Sequence, residues 1–460
     1  MQSIYRQLCC LFVICLIKTH LLQAQEIFAG NNPGKRGLDT TLPNTYTDSV
    51  KITLAEAEKL FFEKNYTLIA EQYNIDAQRA LVLQAKLFNN PSFYFETNIY
   101  NTLSKKWFPS PFKRGVQGAD PDPATQGEMV WNFNQVFSLV GKRLKTTALA
   151  KTNVQIAEYN FYDLIRNLRY QLRQNFVSLY FLERSLLVYE QEISSINEII
   201  RAYDLQFNKG NIPLVELQRL KAFQLSLASE RRGLVYQITA LQNNLMILLC
   251  TKGFPYYVPV IDGGAADKLV FAGQAILPLI DSARLYRYDL KAAATTLKYD
   301  QQNIALQKAM GVPDVTMGIT YTQQGNYVPN YYGLTTAFDL PVFNRNQGNI
   351  RSARYTLRAD SANYRAQDVQ VEKDVWQAVT QLLESDRQFH KSDPDFSANY
   401  ETLMKGVFIN YSKKNISLLE FLDFYESYKN SVLQNNQLQS DRLNDLENLH
   451  FTVGKVLYNY

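Results

Sequence analysis

Residues 315–322 alternate strictly. Val315, Met317, Ile319 and Tyr321 fall on one face, and Thr316, Gly318, Thr320 and Thr322 on the other. Tyr332, Leu334, Thr336, Phe338 and Leu340 likewise oppose Gly333, Thr335, Ala337 and Asp339, and Met129, Trp131 and Phe133 oppose Val130, Asn132 and Asn134. Successive side chains of a strand point to opposite faces, so a period of two reads as β-structure. The pattern predicts strands near 92–100, 128–138, 314–322 and 331–340. Apolar residues facing small polar ones over about nine or ten residues suit a membrane barrel, or a soluble sheet with one wet face. Four strands are too few to close a barrel, since membrane barrels start at about eight, so copies of the chain would have to pool strands.

Elsewhere the period is helical. Leu172, Phe176, Leu179, Leu182, Leu186, Tyr189, Ile193, Ile196, Ile200, Tyr203 and Phe207 step mostly by threes and fours, a coiled-coil seam. Lys142 to Lys209 is a run of 68 residues without Gly or Pro. At the usual rise it makes about 100 Å of helix. Gly210 and Pro213 end it, and a return helix runs to about Leu249. So long a helix must pack along its whole length, and its return partner covers only half. Thr53 is placed as the N-cap of a helix over Leu54–Phe88. Further helices are predicted near 280–310, from about Asn349 with a break at Pro394, and from the Asn415 turn to about Tyr460.

The chain repeats itself. Phe207–Glu216 matches Tyr411–Glu420 at an offset of 204, Phe133 matches Phe338 at 205, and Pro91-Ser92-Phe93 matches Pro313-Asp314-Val315 at 222. The differing offsets imply about 17 extra residues within 101–127, a segment rich in Pro and Gly that reads as a long exposed loop. The organisation expected is a signal peptide over 1–24, an extended segment over 25–50, a first repeat over 51–250, a linker over 251–275 and a second repeat over 276–460.

Composition narrows the function. Leu8 to Ile17 is an unbroken apolar run behind Arg6, right for the core of a secretory signal, with cleavage after Ala24. Cys9, Cys10 and Cys15 fall in that leader, so the exported chain keeps Cys250 alone, read as a small buried residue at a helix end. No other run reaches the roughly 18 apolar residues of a membrane helix, so any membrane entry is by strands. Aromatics make up 13%, with 30 Tyr and 26 Phe, which fits interface strands and also a Tyr-rich soluble surface. A net charge of +5 over 460 residues gives no nucleic-acid footprint. Outside the leader only His390 and His450 remain, without metal spacing; there is no phosphate loop and no nucleophile elbow. No enzyme, cofactor or metal is expected.

Three short segments are more specific. Ile52-Thr53-Leu54-Ala55-Glu56-Ala57, with Asn65, Ala77, Ala80, Ala85 and Pro91, opens the first half. Phe207-Asn208-Lys209-Gly210 with Glu216 forms the first turn, and Tyr411 with Ile416 to Asp423 the second. In this order, over about 50–460, they resemble the TolC-like outer-membrane efflux channel family. The resemblance implies a mainly α fold with a β portion: a homotrimer whose four strands per chain make one twelve-stranded barrel in outer-membrane lipid, above a helical tunnel in the periplasm. It implies partners as well, a periplasmic adaptor and an inner-membrane pump of the RND type. The channel would be the exit duct of a tripartite system for metal cations or drugs. Gln135 to Arg143 is similar to the strand-to-helix junction of the branch that serves heavy-metal pumps.

Carried over position by position, Glu420 and Asp423 match the acidic pair at the tunnel's narrowest point, and Glu216 and Tyr411 match partners of an inter-helix latch. Ile416 departs from members that carry an Arg there. The adaptor-docking tips are Gly210, Asn211, Ile212, Pro213 and Leu214 in the first turn, and Lys414, Asn415, Ile416, Ser417 and Leu418 in the second. Glu420 and Asp423 are three apart and share a helix face. In a trimer their repulsion is expected to raise some pKa values and leave the rings partly protonated near neutral pH. The rival reading is a periplasmic adaptor, or membrane fusion protein, which would have one coiled-coil hairpin between soluble β domains, where this chain has two hairpins and repeated strands.

Overall fold

The computed structural model describes residues 48–103, 105–109, 127–261, 271, 275–323, 330–391, 403, 406–411, 413 and 415–458. The leader, most of the 25–50 segment, about two thirds of the 101–127 loop, about half of the linker, Pro394 and Lys414 lie outside the described residues. A small unit comprises the start of the chain to Ser49 together with Gly253–Tyr256; within it the Tyr256 N–H donates to the Asp48 carbonyl oxygen at 2.9 Å. The larger unit is Val50–Lys252 and Tyr257 onward.

Strand β1 (Ser49–Thr53) leads into α1 (Leu54–Lys64). Thr53 caps α1 in a capping box with Glu56. The predicted single helix over 54–88 is two helices. Asn65 takes an extended backbone, and its side-chain oxygen accepts from Thr67 N and Leu68 N to start α2 (Tyr66–Lys86). Its amide meanwhile donates to the Leu248 carbonyl oxygen at 2.9 Å. The helix predicted near 280–310 breaks the same way. Arg287, extended, separates α5 (Ile276–Tyr286) from α6 (Tyr288–Met310), its guanidinium bonded to Asp289 and Asp374.

Between these lie β2 (Ser92–Thr97), the short pair β3 (Tyr100–Asn101) and β4 (Lys106–Trp107), β5 (Met129–Phe137), α3 (Lys142–Asn208), α4 (Leu214–Leu248) and β6 (Tyr256–Val260), which joins β1 in a two-stranded sheet. After α6 come β7 (Val315–Gln323), β8 (Tyr331–Phe338), α7 (Gln347–Lys391), a helical segment at 406–411 and α8 (Leu418–Val453). Gly454, left-handed at φ 80°, stops α8 short of the predicted end at 460. Cys250 is half-buried rather than buried: the chain turns there with φ 48°, and its Sγ lies 3.4 Å from the Ile247 carbonyl oxygen.

The 67-residue α3 is the spine. It packs on α4 along its far half, on α2 and α6 along its near half, and on α8. Leu172, Phe176, Leu179, Tyr189, Ile196 and Ile200 of the predicted seam are buried. The four main strands form one antiparallel sheet in the order β2-β5-β7-β8, so β5 and β7 join the two strand pairs at its centre and β2 and β8 are its edges.

Candidate functional site

The register of the sheet gathers one kind of residue on each face. Phe93, Phe133, Ile319 and Leu334 stand in one cross-strand row, and Phe95, Trp131, Tyr321 and Tyr332 in another. Trp131 and Tyr321 stack at 5.1 Å and 10°. These rows are not covered by the other described residues: Ile319 is 61% exposed and Leu334 77%. The opposite face carries Asn132, Asn134, Thr320 and Thr335. Asn132 accepts a hydrogen bond from Thr320. Gly318 is glycine for lack of room, since a Cβ there would sit 2.0 Å from Asn134 Oδ1 and 2.6 Å from Thr335 Oγ1. A sheet with an exposed apolar face and two unpaired edges needs lipid or another chain to cover it.

Below the sheet, Asp314 ties the two strand–helix junctions. It accepts from Lys142 Nζ at 2.8 Å and from Leu139 N at 3.1 Å. Lys142, in the segment read as a junction motif, is thus a buried structural cation, also donating to the Val312 carbonyl oxygen at 2.6 Å.

The far end of the helices brings the two turns onto one apolar core. It contains Ile196 and Ile200 of α3, Leu217 and Leu220 of α4, and Leu418 and Phe421 of α8. Gly210 sits at φ 76°, and a Cβ there would meet no described atom within 4 Å, so glycine serves the left-handed turn alone. Asn211 closes the turn, bonding Gln206 through both its main-chain N–H, at 3.0 Å, and its side chain, at 2.8 Å. Pro213 precedes α4, and Leu214 is exposed beside it. In the second turn Asn415 N donates to the Asn410 carbonyl oxygen at 2.9 Å, as Asn211 does to Gln206 five residues back. Ile212 and Ile416 are half-buried, Ile416 against the core. Leu418, placed at the docking tip from sequence, is 7% exposed and part of that core. The exposed leucine of the turn is its neighbour Leu419, at 62%. A charge at Leu418 would therefore disrupt folding rather than report docking.

Of the expected gate residues, Tyr411 is the most constrained. It is buried, its hydroxyl donates to the Tyr203 hydroxyl, and its ring stacks on Phe421 at 4.3 Å. Burial first, then the Tyr203 bond, pushes its pKa up. Glu216 lies in the first turn of α4, close enough for its charge to add to the upward shift on Tyr203 and Tyr411, but Tyr411's hydrogen-bond partner is Tyr203. Glu420 is the third residue of a capping box: Ser417 N and Oγ both donate to its Oε2 at 2.8 Å. Those bonds, the backbone one foremost, hold its carboxyl below the usual range within one chain. Asp423 is exposed one turn on.

Sequence reasoning missed the polar cluster just behind this core. Glu192 is 3% exposed, and neither of its carboxylate oxygens has a hydrogen-bond partner among the described residues. Burial pushes it up to about 8; Lys429 pulls the other way and Glu230 adds to the rise. Lys429 Nζ is engaged by Glu230 Oε2 at 2.7 Å, and the same carboxylate accepts from Tyr189 at 3.1 Å. A Glu beside the seam, three residues after Tyr189 and four before Ile196, was the available signal. At the other end of α8, His450 is buried between Glu447 and Tyr458 N, a structural position.

Among the described residues no helix is long and apolar enough to cross a membrane, and no group of three His, Cys, Asp or Glu could hold a metal. Residues 279–455 match the model of the outer membrane efflux protein family. No curated protein matches the chain. Solved structures share its fold over most of its length. A membrane protein from Pseudomonas aeruginosa has 16% identity and a TM-score of 0.68 over 87% of this chain and 92% of its own. The outer membrane protein VceC from Vibrio cholerae has 18% identity and 0.65 over 88% and 97%. The CmeC outer membrane channel of Campylobacter jejuni has 15% identity and 0.66 over 87% and 85%. The second half thus carries the sequence pattern of the efflux family, nearly the whole chain carries the fold of such channels, and the resemblance read from the residues is borne out.

Proposed function

We propose that the protein is the outer-membrane exit duct of a tripartite efflux system. Three copies pool their strands into a twelve-stranded barrel, and their helices form a tunnel through the periplasm. The observation that carries this reading is the four-stranded sheet, apolar and exposed on one face, with two open edges. It stands on a helix of 67 residues, about 100 Å long. The two halves read as copies of one unit. The sequence offsets of 222 and 205 carry the pair Phe93–Phe133 onto Val315–Phe338, and both are registered partners in the sheet.

The turns at Gly210–Leu214 and Asn415–Leu419 are the periplasmic tip and meet an adaptor, which couples the duct to an inner-membrane pump of the RND type. Glu420 and Asp423, repeated by symmetry, set carboxylates around the tunnel's narrow end and favour cations. Metal cations and drugs are the candidate cargo. The test is fractionation and mass. The protein should stay with outer membranes through alkaline washing, and mild detergent should release a species of three chains. Release by washing, as of an adaptor without a membrane portion, would refute the barrel.

A further inference from the structure

The positive charge of this protein is not spread along it. Residues 84–91, 138–157, 303–314 and 340–359, the segments that flank the four main strands, hold ten Lys and Arg and one acid, Asp314. The whole chain is only +5, so the rest of it is net negative. Four of the ten are used locally. Lys142 is buried against Asp314, and Arg143 donates to the Lys86 carbonyl oxygen while lying 3.8 Å over the Phe88 ring. Lys145 Nζ donates to the Val140 carbonyl oxygen, and Arg345 Nε to the Pro341 carbonyl oxygen at 3.2 Å.

The others gather at the surface. Arg351, Arg354 and Arg358 lie along one face of α7 around Tyr355, and with Gln347 they line a groove. All three arginines are exposed; Asp339 and Asp360 border residues 340–359, but none of the three is in an ion pair among the described residues. Between them and β8 stand Leu340, Val342 and Phe343, the last 92% exposed; Leu87 and Phe88 are similarly bare before β2. Guanidinium groups with no acid in their own segment, beside bare aromatic and aliphatic residues, form an amphipathic collar at the end of the apolar sheet. Water alone satisfies neither half of it, and like charges this close favour a bound anion.

We infer that this collar binds the phosphate headgroups of anionic phospholipids in the leaflet that faces the helices. The inference rests on the reading that the sheet spans the membrane. Phe343 and Phe88 then sit at the acyl boundary, and the arginines reach into the headgroup layer. From Arg351 to Arg358 α7 rises about 10 Å, comparable to the polar layer of one leaflet with an arginine's own reach added. A guanidinium can hold a phosphate through two parallel hydrogen bonds, so several on one face select a charged headgroup over a zwitterionic one.

The test reconstitutes the full protein in vesicles of equal phosphatidylglycerol and phosphatidylcholine, re-extracts it in mild detergent and counts the lipids that stay bound by mass spectrometry. The parent should retain phosphatidylglycerol about tenfold over phosphatidylcholine, and less at high salt. The variant R351Q/R354Q/R358Q should lose most of that preference, and R351K/R354K/R358K, which keeps the charge, should retain much of it. A parent without preference overturns the inference, and so does a Gln variant as selective as the parent. If that Gln variant keeps its lipids but changes anion conductance, the arginines face the tunnel instead. A parent that never enters the vesicles refutes the membrane reading itself, a distinct result.

Discussion

Glu192 offers a prediction that no trimer geometry can obscure, because it is buried within one chain. A carboxyl at about 8, against an ordinary 4.5, binds its proton more tightly folded than unfolded. Between these two values the folded chain holds a proton that the unfolded chain has lost. Stability therefore falls as pH rises through the window and levels off above it. At 1.36 kcal/mol per unit the full window is worth about 5 kcal/mol, and the stretch from about pH 6 to about pH 8 roughly 3 kcal/mol. Unfolding entropy near 2 cal/mol/K per residue turns the latter into about 3 °C of Tm. Three chains unfolding together carry three such groups and three times the entropy, so the shift is the same. Glu192→Gln is a neutral isostere and removes the dependence. The nearby groups Glu230, Lys429, Tyr189 and Tyr425 remain in both proteins, so the difference between the two pH curves isolates Glu192. Thermal unfolding in mild detergent, followed by circular dichroism, should show the variant gaining on the parent steadily from pH 6 to pH 8. Parallel curves would refute the reasoning.

Further tests address the tip. Tyr411→Phe and Tyr203→Phe should each cost about 1 kcal/mol, and a double-mutant cycle should show coupling of similar size; additive losses would mean the hydroxyl pair contributes nothing. Gly210→Ala should cost about 1 kcal/mol of backbone strain and leave export working. Gly210→Asp should abolish export while the protein stays in the membrane, and export unchanged by it would remove the first turn from the docking site. Glu420→Gln with Asp423→Asn should relieve block by a trivalent cation in planar-bilayer conductance and reduce cation preference; block as strong as in the parent would move the constriction elsewhere.

Features written in local sequence were legible. The Gly- and Pro-free run gave α3 to within a residue, and strict alternation gave the strand faces. What depends on distant partners was not. Nothing next to Asn65 or Arg287 forbids a continuous helix; the breaks are held by the Leu248 carbonyl and by Asp374, far along the chain. Leu418 looked like a tip residue because its burial comes from α3 and α4. Glu216 and Tyr411 were read as members of one latch, whereas the Tyr411 hydroxyl bonds Tyr203 of α3, 208 residues away, which no motif marks. Glu420 read as a free gate charge because its position is also that of a helix cap, and sequence spacing is the same for both.

The central claim is that the edges β2 and β8 meet between chains. In a Cys250→Ser background, Phe95→Cys can be paired in turn with Tyr332→Cys, Leu334→Cys and Thr336→Cys, which sit on the same face of the sheet. Oxidation in intact outer membranes followed by a non-reducing gel reads out the partner. The account predicts that at least one pair yields a ladder ending at three linked chains. A disulfide closed within one chain, a ladder ending at two, or no link in any pair would contradict it.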